Sequence, residues 1–196
     1  MKKPIQDRSY FKTLLKKDSL TVAKSLIGVR LGFLGPDGPV SGVINETEAY
    51  TQEDPACHAF GGKQTPRNQI MFRSAGHVYI YFIYGMYYCL NIVTEEEGRG
   101  CAVLIRGVIP DKECIEQIKF NRNCKLNSNS EKGLSDGPGK LVMALGIPSD
   151  LNGAFLFDDE CPLFLERQND LVLDVKSSSR IGISKGTDLN WRFLGQ

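Results

Sequence analysis

Apolar positions along the chain fall into short runs separated by glycine, proline and charged residues, and one run stands apart. Residues 76–93, Gly-His-Val-Tyr-Ile-Tyr-Phe-Ile-Tyr-Gly-Met-Tyr-Tyr-Cys-Leu-Asn-Ile-Val, hold five of the seven tyrosines, and no Asp, Glu, Lys or Arg lies between Arg73 and Glu95. β-Branched and aromatic residues on both sides of Gly85 predict two strands meeting at a turn. Tyr84 and Met86 flank that glycine, so the hairpin tip is large and apolar. Such a tip costs solubility unless something receives it. The alternative is a core strand pair whose tyrosine hydroxyls reach the surface. A transmembrane span fits by length, but five tyrosines, an asparagine and a mid-run glycine argue against it.

Around this hairpin the pattern predicts further elements. Residues 18–28 read as a short amphipathic helix capped by Asp18 or Ser19, with Leu20, Ala23 and Leu26 on one face and Gly28 at its end. Strands are expected over 29–34 and 42–50, joined by Gly35-Pro-Asp-Gly-Pro39. In the second, a period of two puts Glu46, Glu48 and Tyr50 on one side. That side is either a solvated acidic face or a functional one. Residues 51–69 lack periodicity, and a loop of that length in a compact domain is usually functional or disordered. A buried-looking strand over 101–109 contains Arg106, whose charge requires a carboxylate or a wet cavity opposite it. Helices are expected over 111–120 and from about Lys140 to Gly146, with a polar surface loop over 122–132 and short strand-like runs in 155–175. Gly137-Pro-Gly-Lys140 lacks the spacing of a phosphate loop.

Length and composition add bounds. The 196 residues, 41% hydrophobic and 24% charged, suit one domain spanning 1–196, with a basic segment at 1–17. A net charge of +1 selects no partner. Its distribution is uneven: Lys2, Lys3, Arg8, Lys12, Lys16, Lys17, Lys24 and Arg30 outnumber Asp7 and Asp18 in the first thirty residues, and Lys63, Arg67 and Arg73 form a second cluster. Each cluster is either solvated surface or a local face for a polyanion. The six cysteines show no Cys-x-x-Cys pair, and His58 beside Cys57 makes no zinc site, so neither a metal nor a disulfide is expected. With no signal-peptide pattern ahead of the first polar residues, the expected compartment is the cytoplasm.

Taken in series, Glu46-Thr-Glu-Ala-Tyr50, His58, Gly61-Gly-Lys-Gln-Thr-Pro-Arg-Asn68, residues 79–91, Leu104-Ile-Arg106, Gly137-Pro-Gly-Lys-Leu141 and Arg180-Ile-Gly-Ile183 resemble the alkyladenine (3-methyladenine) DNA glycosylase family. The resemblance covers the chain from about Leu20 onward. It implies a mixed α/β single domain with a curved, largely antiparallel β-sheet, a protruding β-hairpin and peripheral helices. It also implies a monofunctional glycosylase that flips alkylated or deaminated purines, such as 3-methyladenine and hypoxanthine, out of double-stranded DNA. Neither cofactor nor membrane is implied, and the protein is expected to act as a monomer. Carried over position by position, the resemblance makes Glu48 the catalytic carboxylate, with Arg106 and the Ile181 backbone carbonyl holding the water. Tyr50 and His58 sandwich the base, Tyr81 stands at its edge, and Asn91 guards against the guanine 2-amino group. Tyr84 and Met86 enter the minor groove, and Lys63, Thr65 and Arg67 face the DNA. Lys63 stands where better-known members have arginine, which keeps the charge but loses a two-pronged phosphate contact.

The chemistry agrees. A base inside a duplex must be extruded before its glycosidic bond can be reached. Wedges that do this cost a few kcal/mol of unstacking, and aromatic stacking recovers roughly 1–3 kcal/mol per base. Cleavage develops oxocarbenium character, which one carboxylate can stabilise while it deprotonates water. Competing readings are a damage-binding module without chemistry and a hydrolase of free nucleosides. Lys63 is the nearest candidate for an attacking amine, and its loop position suggests a phosphate contact instead.

Overall fold

The computed structural model describes residues 7–124, 133–168 and 171–196. The predicted polar loop over 122–132 lies mostly outside them, as do residues 1–6 of the basic segment. The rest of that segment is not a plain tail. Helix α1 (Arg8–Leu14) is capped by Asp7, whose Oδ1 accepts from the Tyr10 N–H at 3.1 Å. Phe11, Leu14 and Leu15, at helical spacing, bury their side chains. Helix α2 (Ser19–Ser25) starts where expected, with Asp18 accepting from the Thr21 N–H at 2.9 Å. Its buried face is Val22, Ala23 and the capping Leu26, while Leu20 stays half-buried.

A curled antiparallel sheet follows: β1 (Arg30–Gly35), β2 (Gly38–Tyr50), β3 (Val78–Ile83), β4 (Tyr87–Val93), β5 (Ala102–Pro110), β6 (Leu163–Glu166), β7 (Val175–Ser178) and β8 (Arg192–Gly195). The order is β3-β4-β5-β2-β1-β6, with β8 pairing both β2 and β7. Strand β2 begins four residues earlier than its apolar pattern suggests, because Gly38–Val43 continues the ladder with β1. Near Asn45 and Glu46 the β2–β5 register shifts, and from there β2 leaves β1 and pairs β8 over Glu46–Glu48. A bulge bends its strand; here it turns the end that carries Glu46, Glu48 and Tyr50. Gly107 lies opposite, where a Cβ would come within 2.8 Å of the Asn45 side-chain oxygen.

Helix α3 (Ile115–Asn121) and helix α4 (Pro138–Leu145) pack outside the sheet. α4 starts two residues ahead of the expected Lys140, since Pro138 suits a first helical position. Gly139 is needed there: a Cβ would meet the Tyr87 ring at 2.8 Å, so α4 lies hard against the base of the hairpin. The main core gathers Phe11, Leu26, Ile44, Ile105 and Leu165, and a smaller cluster of Cys57, Ala59, Ile70, Met71, Tyr79 and Val93 supports the 51–69 loop. That loop holds turns and one short 3-10 helix, Phe60–Gly62, in keeping with its lack of periodicity.

Candidate active site

The hairpin forms as predicted, with β3 and β4 paired from Val78–Ile92 to Ile83–Tyr87. At its tip the Ile83 carbonyl accepts from the Met86 N–H, and both central residues have positive φ: +54° at Tyr84 and +69° at Gly85. This is the backbone of a hairpin turn whose twist matches its strands. Glycine adopts it freely; a tyrosine does so at a cost. Tyr84 is 74% exposed and Met86 65%. The Tyr84 ring leans toward the loop at Gly182, where an added Cβ would lie 3.5 Å from its hydroxyl.

Beneath the tip lies a cavity of about 650 Å³. Its walls include Tyr50, His58, Tyr79, Tyr81, Tyr84 and Asn91, and Glu48 and Arg106 also reach it. Glu48 is fully buried. The Tyr50 hydroxyl donates to its Oε2 at 2.8 Å, the Ile181 N–H donates to Oε1 at 2.9 Å, and an Arg106 guanidinium nitrogen stands 3.4 Å from Oε1. Arg106 has the carboxylate partners that its burial demands, since its Nε also donates to Glu46 Oε1 at 2.8 Å. The same Glu46 oxygen accepts from Arg192 Nε at 2.6 Å. The three acidic-face residues therefore sit on an enclosed side of β2, not a solvated one.

Burial disfavours the Arg106 charge, yet Glu48 and Glu46 outweigh it and hold the guanidinium's pKa above its ordinary value. Burial, then the Glu48 carboxylate, pushes the Tyr50 phenol well up against the opposing pull of Arg180 and Arg106. Tyr50 thus keeps its proton for Glu48. His58 Nδ1 pairs with the Tyr79 hydroxyl at 2.9 Å, and its ring meets Tyr81 edge-on with centroids 4.7 Å apart. Burial and then Arg67 push His58 below its ordinary 6.5. Asn91 is buried, and its amide donates to the Tyr79 carbonyl at 3.1 Å. It closes the sheet and lines the cavity at once.

The loop expected to face DNA keeps Lys63 and Arg67 exposed. Thr65 turns inward, its N–H and hydroxyl both bonding Asn68 Oδ1 at 2.7 and 3.1 Å. Arg67 lies over the Tyr81 ring at 5.6 Å and donates to the Phe82 carbonyl. Lys63 is exposed and is not among the cavity walls. Lys140 and Lys185 are. α4 and the 180–186 loop bring these two in from residues far apart in the chain. Lys140 is tied to Asp136 at 2.7 Å.

Other groups at the site have no role assigned from the sequence. Tyr79 shares the period-two face of Tyr81 and could have been found from it. Arg180 opens the Arg180-Ile-Gly-Ile183 motif, but no pattern marks Asp54, with which its side chain forms a fully buried ion pair behind Tyr50. Among the described residues, no three His, Cys, Asp or Glu side chains gather as a metal site, and no helix is long and apolar enough to cross a membrane.

Residues 13–196 match the family model described as methylpurine-DNA glycosylase. A Francisella tularensis subsp. tularensis protein is 40% identical over 182 residues, covering 92% of this chain and 91% of its own length. One from Carboxydothermus hydrogenoformans is 44% identical over 177 residues, covering 90% of each, and one from Agrobacterium fabrum is 40% identical over 181, covering 92% and 86%. All three carry the name "Putative 3-methyladenine DNA glycosylase".

Proposed function

The chain belongs to the methylpurine-DNA glycosylase family, making it a DNA glycosylase of base excision repair, and from that premise we propose how it works. The cavity receives an alkylated or deaminated purine, 3-methyladenine and hypoxanthine among them, extruded from duplex DNA. Tyr84 and Met86 take the space the nucleotide leaves, as an exposed aromatic wedge can. Tyr50 and His58 hold the base by its faces, with Tyr81 at its edge.

The observation that carries this proposal is Glu48: a carboxylate with no exposed surface, on the floor of an aromatic cavity, reached by three donors. A carboxylate offers roughly four acceptor positions, so one is left for a water. With the base in place, Glu48 takes a proton from that water while its negative charge, behind the sugar, stabilises the oxocarbenium-like centre. The water's oxygen bonds to C1′, the base leaves with the glycosidic electron pair, and an abasic site remains. Arg106 fixes the carboxylate, and its own bond to Glu46 fixes Arg106. Of the Ile181 backbone, the N–H is the group that meets Glu48; its carbonyl keeps the proposed role of a second water ligand.

No lysine acts as nucleophile in this scheme. Lys140, at the cavity wall, is engaged by Asp136 at 2.7 Å. Borohydride therefore traps no covalent adduct with lesion DNA. The decisive assay offers one lesion in a duplex, in a single strand and as a free nucleoside. Release from the duplex, slower release from the single strand and none from the nucleoside is expected. Equal release from the nucleoside would make this a nucleoside hydrolase, and tight binding without release would leave a damage-binding module.

A further inference from the structure

Arg180 ties together three segments that carry walls of the cavity: β2, the loop that follows it and the 180–186 loop. Its side chain is fully buried and makes a two-pronged ion pair with Asp54, one arm of it 2.9 Å long. The same guanidinium donates to the Ala49 carbonyl at 3.0 Å and to the Gly186 carbonyl at 3.2 Å. Its central carbon lies over the rings of Tyr50, 4.7 Å from the centroid, and Trp191, 5.4 Å from the centroid. Ala49 lies between Glu48 and Tyr50, Asp54 is four residues before His58, and Ile181 follows Arg180 directly.

We infer that the Arg180–Asp54 pair is the positioning device of the site: it seats the Tyr50 ring and delivers the Ile181 N–H to Glu48. Buried ion pairs are poor sources of stability, because desolvation offsets their attraction. Arginine supplies here what lysine cannot, a planar fork that binds a carboxylate with one edge while its face stacks on an aromatic ring. Without it, the 180–186 loop loses its tie to β2 and Glu48 loses a donor. The inference rests on the proposed role of Glu48.

The test compares single-turnover excision from a hypoxanthine duplex with equilibrium binding of the same duplex. Arg180→Lys keeps the charge and loses the fork. It should slow excision at least tenfold while changing lesion binding less than threefold. The paired variant Arg180→Met with Asp54→Leu strands no buried charge, so it keeps the fold if the single variant does not, and it should show the same split. Arg30→Lys, which disturbs the ion pairs of Arg30 with Glu166 and Asp111 away from the cavity, serves as control and should excise normally. Folded Arg180 variants with unchanged excision, or with excision and binding reduced equally, would overturn the inference. Glu48→Gln in the same series separates the two levels: if it excises normally, the role of Glu48 falls; if it is inactive while the Arg180 variants are normal, the positioning device alone falls.

Discussion

At the scale of single residues, the site depends on groups whose protonation and hydrogen bonds are set by burial. His58 is the clearest case for titration. Its folded pKa lies below the ordinary 6.5, by burial first and Arg67 second, so the neutral ring is the native form. The unfolded chain binds that proton more readily, so the contribution of His58 to stability is complete above about pH 6.5 and is lost as pH falls through the lowered folded value. Following the His58 ring by NMR should give a midpoint below 6.5; a midpoint at or above it would show that neither burial nor Arg67 acts as described. Asn91 joins two readings that the sequence left apart, a sheet-closing amide and a guard. Hypoxanthine lacks the 2-amino group of guanine, so a polar group at the cavity edge can reject guanine while admitting hypoxanthine. Asn91→Ser should raise the ratio of guanine to hypoxanthine excision. Because the amide bonds the Tyr79 carbonyl, it should also cost about 1 kcal/mol of stability. An unchanged ratio in a folded variant would leave Asn91 a sheet-closing residue alone. The acidic face was legible as Glu46, Glu48 and Tyr50 on one side, but its enclosure was not. What encloses it is Arg106, Arg192 and the Ile181 N–H, brought from strands and a loop distant in sequence.

At the scale of elements, the hairpin was the most legible part of the chain. Aromatic and β-branched residues on both sides of one glycine determine strands, turn and tip together. Strand ends and helix starts were less legible, because neighbours decide them. β1 extends β2 back to Gly38, and the fit of Gly139 against Tyr87 sets the start of α4. Helix α1 escaped notice among its lysines, although Phe11, Leu14 and Leu15 carry the helical spacing. In the loop motif around Lys63, Thr65 bonds Asn68 within the loop, while Arg67 stays exposed over the Tyr81 ring. The tip itself packs little in the free protein. Tyr84→Ala should therefore change stability by no more than about 0.5 kcal/mol. It should also weaken the fluorescence change of a base analogue placed beside the lesion, which reports flipping. Loss of folding, or an undiminished flipping signal, would remove Tyr84 as the wedge.

At the scale of the whole molecule, one bulge and one buried ion pair turn a plain antiparallel sheet into a site. The bulge near Glu46 lets β2 change partners from β1 to β8, and Arg180 ties the loops at that end to the strand. Neither has a local signature: a bulge shows only when two strands are paired, and Arg180 and Asp54 lie 126 residues apart. The cavity exists because α4, the hairpin and the 180–186 loop converge above β2 and β5. In the proposed mechanism this enclosure lets one carboxylate activate water against the glycosidic bond. The most direct test is single-turnover excision from a hypoxanthine duplex by Glu48→Gln, with binding of the same duplex measured alongside. General base catalysis is typically worth roughly a hundred- to ten-thousand-fold, so excision should fall by about that factor while lesion binding stays near the parent value. Excision within a few fold of the parent, by a variant that binds and folds normally, would contradict the claim.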